Sequence, residues 1–421
     1  MKKAIQAALT EGFTNPVRDV LWGHIYLKPS FTALLGSPHF MRLCRIQQLG
    51  PVFLVYPGAT HTRASHSIGV YHLGRRLLQN LAERGAGEWL TPDGVNSFLC
   101  ACLLHDLGHF PFTHSLKELP LASHEELTGA IILEEPMKSL VKKTGADPNL
   151  TAAIVDKDMA VPEGAMAELQ FFRKLLSGCL DPDKLDYLNR DGRYCGVTYG
   201  AQDVDFILSG LYPHIERGAD IDSKLIPNVE AILFSKYLMY RAVYWHRQVR
   251  SATAMIKKAL INGLESGHIK GEQLYGLDDQ NLFSLLQEKT SSSIGKAVRE
   301  GNIYETILEI PFDEEVYGVL RNINRRCDCE KQITAELRGA GVKLGVEDLI
   351  IDIPEPVSFE TGLFVLDEKC FFGESSSAFK AETLNSFIKT LYTIRIFANP
   401  DFTDKINSLP DRHAILNIRE K

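Results

Sequence analysis

LCACLLHDLGHFPFTH, residues 99–114, is the stretch on which the reading of this chain turns. An apolar run ends in the pair His105-Asp106, and His109 and His114 follow close behind. A His-Asp dipeptide means little by itself in a chain with 13 histidines. Its setting means more. Adjacent side chains diverge by about 100° on a regular helix, so both can face one ion only where the helix ends. Gly108, two residues on, offers the release. Working outward, seven of the 13 histidines fall between positions 61 and 124, among them His66 and His124. Imidazole nitrogens together with carboxylate oxygens suit a hard or borderline divalent cation. His66 sits near the start of the preceding helix and Asp183 begins a later one. His66, His105, Asp106 and Asp183 would then reach one ion from three helices, as metal sites are built in bundle cores.

CLDPDKLDYLNRD, residues 179–191, gives the geometric support. Asp181 suits an N-cap and Pro182 the first helical position. Counting from Asp183, Tyr187 falls at roughly 40°, Asp191 at roughly 80° and Lys184 at roughly 100°. One face therefore holds a carboxylate for a metal, a cation for phosphate, and groups that recognise hydroxyls. LFSKYLMYRAVYWHRQVR, residues 233–250, carries a second stripe. Relative to Lys236, Tyr240 lies near roughly 40°, Tyr244 near roughly 80° and Arg247 near roughly 20°. Such a row can bind phosphate and stack on a sugar or base. Long helices also carry Tyr and Lys at the margins of an apolar face, which explains the same pattern without function.

Apolar spacing of three and four predicts helices over 38–49, 64–84, 95–106, 124–134, 167–178 and 183–191. A long helix is expected from about 228 to 262, stopped by Asn262-Gly263. Glycine and proline break the pattern at ERGAGEW, Leu119-Pro120 and VPEGA. Beyond residue 300, ETILEIPF, DLIIDIPEPVSF and GLFVLDEKCFF read as short strands, and 381–398 as helix again. The expected fold is mostly α: a helical domain over 1–300 and a smaller α+β region over 301–421. The 421 residues are 45% hydrophobic and 24% charged, ordinary for a globular protein. A net charge of -7 gives no support to general nucleic-acid binding. No segment has the apolar length of a signal peptide or membrane span. The eight cysteines lack any C-x-x-C pair, which fits reduced thiols in a cytoplasmic protein.

YPGATHTRASHSIGVYHL (56–73), CLLHDLGHFPFTH (102–114), Ser123-His124-Glu125 and LDPDKLDYLNRD (180–191) resemble the HD-domain phosphohydrolases. More narrowly they resemble the deoxynucleoside triphosphate triphosphohydrolase branch, to which WGHIYLKP (22–29) and MRLCRIQQLG (41–50) are also similar. The resemblance runs over about residues 15 to 260. It implies that His66, His105, Asp106 and Asp183 hold a divalent metal, with Mn, Fe, Zn, Ni and Mg all compatible. It implies that Arg63, Lys184, Tyr187 and Lys236 touch the triphosphate, and that Asp191 and Tyr187 meet the sugar 3′-hydroxyl. Tyr244 would pack beneath the sugar, Gln48 and Leu49 would lie near sugar or base, and His109, His114 and His124 would form a catalytic cluster. The implied reaction is attack on the α-phosphorus, giving a deoxynucleoside and intact triphosphate. The implied partners are a small-molecule nucleotide and further copies of the chain.

The chain also departs from the family. Lys117 stands where an aspartate follows the third histidine, with Glu118 beside it. Trp245 replaces a base-contacting glutamine, so base preference does not carry over. Gly36, Met41 and Cys44 occupy the positions of a guanine-activator site, which is therefore expected to be absent in that form. Two other readings remain open: an HD phosphomonoesterase or phosphodiesterase, and a non-catalytic nucleotide or nucleic-acid binder.

Overall fold

Three helices frame the region that the sequence singles out: Arg63–Glu83, Pro92–Leu104 and Pro182–Cys195. The chain is seen in a computed structural model that describes residues 2–160, 166–290, 294–375 and 378–418; VPEGA lies outside them. Each frame helix starts on a side-chain cap. Thr62 accepts from the Ser65 amide, Thr91 from Gly94 and Asp181 from Lys184, and prolines occupy the first turn of the second and third helices. The third ends at Gly196, whose φ of 69° is left-handed, the usual glycine stop. The first helix packs against both others. Its Val70, Leu73, Leu77 and Leu81 are buried in one core with Phe98, Leu99, Leu103, Leu185 and Leu188. Burying each such side chain contributes about 1.5–3 kcal/mol.

The architecture is mostly helical, with three small sheets among the described residues. Two hairpins inside the first 300 residues were not expected from sequence: Asn15–Asp19 with Gly23–Leu27, and Leu211–His214 with Gly218–Ile221. Both are too short for a period-two pattern to stand out. The expected helix over 38–49 ends at Leu43, and the chain turns before a short 3-10 segment at Gly50–Leu54.

The long helix expected over 228–262 is broken. Ile226–Met239 passes into a π turn at Tyr240–Tyr244, the backbone leaves helix at Trp245-His246, and a new helix runs over Arg247–Glu265, beyond the expected stop. His246 caps the second piece by accepting from the Gln248 amide. The inserted residue rotates Tyr244 away from the row counted from Lys236, because a π turn does not advance by 100° per residue.

The segment 381–398 is helix only over Ala381–Leu391. Thr393–Ala398 is the middle strand of an antiparallel sheet, paired with Glu305–Pro311 on one side and Leu349–Asp352 on the other. Its run of Ile and Phe is buried nearly throughout, and such a run looks the same in a buried helix and a central strand. The sheet packs on the helix Ile323–Gly339 through Ile333, Leu337, Ile351 and Ile394. After Asp352, Pro354 and Pro356 carry no amide donor, and pairing ends. GLFVLDEKCFF forms only the pairs Phe364–Phe371 and Val365–Cys370, with Val365 also joined to Ile221. Contacts thus cross residue 300: Arg250 donates to Asp352 through Nε at 2.9 Å and Nη2 at 2.6 Å.

Candidate active site

His105 is the C-cap of the Pro92–Leu104 helix, and Asp106 lies in the turn that follows. That turn is pinned from outside by Arg42, whose buried guanidinium donates to the carbonyls of Leu107 and His109, and to Leu277 at 3.0 Å. Gly108 has a different role from the one expected. Its φ is not positive; rather, a Cβ there would stand 2.1 Å from the His124 carbonyl and 2.6 Å from the Thr128 amide. The missing side chain lets the His124–Leu133 helix start against the His-Asp turn, fixed by Gly108 N–H donating to Thr128 Oγ1 at 2.8 Å.

His66 Nε2 lies 2.9 Å from Asp183 Oδ1, and His105 Nε2 lies 3.8 Å from the same oxygen. Asp106 Oδ1 is 3.3 Å from His105 Nε2 and 3.2 Å from His109 Nε2. One potential ligand atom from each of His66, His105 and Asp183 falls within a 4.8 Å group, and Asp106, His109 and His124 make a second such group. His105 Nδ1 faces the Cys102 carbonyl at 3.0 Å, while its Nε2 is buried without a hydrogen bond. A fixed ring with a free inward nitrogen beside two carboxylates fits an N/O-coordinated divalent ion. Burial would lower His66, but hydrogen bonds and charge from Asp183 and Asp186 push it up to about 10. Burial would likewise raise Asp183 and Asp106, but His66 and His105 hold Asp183 well below the usual range, and His105, His109 and Arg63 hold Asp106 there. Both carboxylates are therefore held in the ionised form that can ligate a cation.

Beside it the His109 and His124 rings stack at 3.9 Å, and His114 meets both edge-on, at 4.7 and 5.2 Å. Burial, with Arg63 and His124 nearby, keeps His109 and His114 neutral by lowering both well below the ordinary imidazole value. His124 Nδ1 is 3.0 Å from Glu125 Oε2. Glu118 does not serve the histidines; it is ion-paired to Lys257 and to Arg326.

A cavity of about 440 Å³ brings together His66, His105, Asp106, Asp183, His109, His114, His124, Arg63, Gln48, Leu49, Tyr187, Asp191 and Tyr244. Asp191 is held from two sides, by Tyr244 OH donating to Oδ2 at 2.7 Å and His61 Nε2 at 2.8 Å from Oδ1. Arg63 Nη1 donates to Asp106 Oδ2 at 2.8 Å. Lys184 and Lys236 are not on the cavity wall. Helical side chains lean toward the N-terminus, and Lys184 reaches back to its own cap, donating to Asp181 Oδ2 at 2.7 Å and the Gly178 carbonyl at 3.0 Å. Lys236 donates to the Ser358 carbonyl at 2.7 Å and to Glu360 Oε2 at 3.1 Å. The partner lies more than a hundred positions away, beyond the reach of local spacing. Sequence reading also missed Asp186, His61 and Glu125. Asp186 had a signal, since Asp183, Asp186, Tyr187, Arg190 and Asp191 follow i, i+3, i+4 spacing on one helix.

Residues 63–153 match the HD domain and residues 215–421 match the HD associated region. The uncharacterized protein YwfO of Bacillus subtilis is 37% identical over 231 residues, which are 54% of this chain and 50% of YwfO. The deoxynucleoside triphosphate triphosphohydrolase SAMHD1 of Danio rerio is 27% identical over 372 residues, 78% of this chain and 58% of that protein. The chain thus spans only about half the length of these curated relatives. A solved phosphohydrolase from Bacteroides thetaiotaomicron shares the fold at a TM-score of 0.71, with 22% identity, covering 92% of this chain and all of that one. The chain belongs to the HD-domain family, whose two matched regions together cover most of its length. Within that superfamily its similarity is to the deoxynucleoside triphosphate triphosphohydrolase branch. No described helix is long and apolar enough to cross a membrane.

Proposed function

We propose that this chain hydrolyses deoxynucleoside triphosphates at the α-phosphorus, releasing a deoxynucleoside and inorganic triphosphate. The observation that carries the reading is a single cavity joining the His/Asp cluster to the wall made by Tyr187, Asp191 and Tyr244. His66, His105, Asp106 and Asp183 would hold a divalent ion. Such an ion supplies Lewis acidity, polarising a phosphoryl oxygen and making water more acidic. Asp191, fixed by His61 and Tyr244, offers a carboxylate oxygen to a sugar hydroxyl and aligns the ester for in-line displacement. Water oxygen bonds to the α-phosphorus as the bond to the 5′-oxygen breaks, and that oxygen must gain a proton. His124 pairs with Glu125, a carboxylate outside the proposed metal-ligand set, so His124 is the donor in this reading. His109 and His114, held neutral, can orient water through an unprotonated ring nitrogen.

Arg63, Lys184 and Lys236 are proposed as the phosphate-binding cations, with Gln48 and Leu49 toward the sugar or base. Assembly into homo-oligomers and the two-part division at residue 300 are kept as proposals from the resemblance and the change in sequence texture. The test is incubation of the purified, metal-analysed protein with each deoxynucleoside triphosphate and Mn, Mg, Fe, Co, Ni or Zn, followed by chromatography. Inorganic tripolyphosphate with deoxynucleoside is the expected product pair. Phosphate or pyrophosphate instead would replace this reading by another HD hydrolase, and tight binding without turnover would replace it by a binding protein.

A further inference from the structure

Behind His66, on the side away from the cavity, lies a buried array that the chemistry above does not use. His66 Nδ1 is 2.9 Å from Asp186 Oδ2. Asp186 is fully buried and accepts three further hydrogen bonds: Trp22 Nε1 at 2.6 Å, Arg190 Nε at 2.8 Å and Arg190 Nη2 at 2.9 Å. The remaining arm of Arg190, itself fully buried, donates through Nη1 to Asp19 Oδ2 at 2.9 Å. Asp19 closes the N-terminal hairpin, its Oδ1 accepting from the amides of Leu21 and Trp22 at 2.8 and 2.9 Å.

Room for this array is made by Gly69, in the middle of the His66 helix. A Cβ at Gly69 would stand 1.9 Å from Asp186 Oδ1 and 2.5 Å from Arg190 Nη2. Glycine inside a helix costs stability, and so does removing two carboxylates and a guanidinium from water. A packed apolar cluster would hold these elements together equally well. The array therefore does something packing does not. Ionised carboxylates only accept hydrogen bonds, so Asp186 requires the proton on His66 Nδ1, and it fixes the ring plane. With the proton held on Nδ1, Nε2 is the nitrogen that faces Asp183, with His105 beyond it, and it is the one that would give up its proton to bind an ion.

We infer that Asp186 is a positioning residue that sets His66 as an Nε2 metal ligand, and that Trp22, Arg190 and Asp19 hold Asp186 in place. The affinity of the site for a divalent ion is then tuned from the N-terminal hairpin, outside the segments matched to the HD domain and its associated region. The inference rests on the metal site of the proposed function, but not on its substrate.

Co²⁺ binding to the full chain tests it, followed by its visible absorption and by competition with a chelator. Asp186→Asn should weaken Co²⁺ binding about 10- to 100-fold and alter the absorption band. Trp22→Phe, which deletes one hydrogen-bond donor, should weaken it by a smaller factor, about threefold. Leu337→Ala, in the separate core of the C-terminal sheet, serves as a destabilised control that keeps wild-type Co²⁺ affinity. Wild-type affinity and spectrum in folded Asp186→Asn would overturn the inference, as would equal losses in the Leu337→Ala control. Should Asp186→Asn not fold, Trp22→Phe decides alone, wild-type affinity there being the overturning result. A wild-type protein that binds Co²⁺ yet releases no tripolyphosphate would sink the proposed substrate while leaving the affinity measurements to judge the array.

Discussion

The side chains proposed to hold metal and the lysines proposed to bind phosphate are held in opposite ways. At the metal end the ligand side chains are backed by protein partners: His66 by Asp186, His105 by the Cys102 carbonyl, Asp106 by Arg63. Those partners are buried and come from the helical frame itself. At the cation end, Lys184 and Lys236 are satisfied by Asp181, Gly178, Ser358 and Glu360, not by groups on the cavity wall. Glu360 is 39% exposed at its side chain and sits in the coil that follows Pro354 and Pro356. One end is built to keep a fixed geometry. In the proposed function the other would exchange internal partners for phosphate on binding substrate, and such an exchange subtracts from affinity.

The largest expected effect separates the ends outright. Asp106→Ala removes a buried carboxylate shared by His105, His109 and Arg63. Metal content should fall to background, and tripolyphosphate release should drop by about a thousandfold or more, while far-UV circular dichroism is retained. Wild-type turnover in this variant would mean that the histidine cluster is not the reaction centre. Lys184→Ala should act only on the other end, raising KM for a triphosphate about tenfold with little change in kcat or metal content. A fall in kcat at unchanged KM would move Lys184 from binding into the chemical step.

Glu360→Gln probes the exchange itself. Removing the charge that competes for Lys236 should lower KM for triphosphates about threefold and leave metal content alone, since an ion pair open to solvent on the glutamate side contributes little. A raised KM would show that Glu360 helps to bind substrate. Steady-state kinetics with matched metal analysis covers both lysine-end variants.

The same contrast governs what could be read from sequence. The Asp181 cap, Pro182 and the stripe Asp183–Tyr187–Asp191 are local, and helix geometry alone put them on one face; Lys184, counted on the same face, turns back to its cap instead. His66 and Asp183, more than a hundred residues apart, stand 2.9 Å from one another, a convergence that no local spacing could display. Lys236 was different. Its row assumed a continuous helix, whereas the π turn at Tyr240–Tyr244 redirects Tyr244 to Asp191, and Glu360 arrives from a distant coil. Thr393–Ala398 was misread for a related reason: a fully buried strand has no polar alternation to betray its period. Gly108 and Gly69 are legible only once their neighbours are known, because both are explained by space and not by backbone angle.

The smallest effect tests how far the rigidity of the metal end extends. His72 lies about one and two-thirds helical turns beyond His66, its ring 6.1 Å from that of Trp22, the indole that donates to Asp186. Burial, then the charges of Arg76 and Arg75, lower its pKa from 6.5 to about 4, against weaker opposing pulls from Asp19 and Asp186. The sign follows from proton uptake. Below pH 6.5 the unfolded chain binds a proton that the folded chain refuses until about pH 4, so stability is lost as pH falls through that window. Over the whole window the loss is on the order of 2–3 kcal/mol. His72→Gln removes this dependence. In chelator-treated protein, where the other histidines contribute equally to both curves, the variant should gain on wild type by that amount between pH 6.5 and 4, with a constant difference above. Denaturant unfolding at a series of pH values measures it, and parallel curves would show that the ring takes up its proton without strain, so that the packing behind His66 is looser than its hydrogen bonds imply.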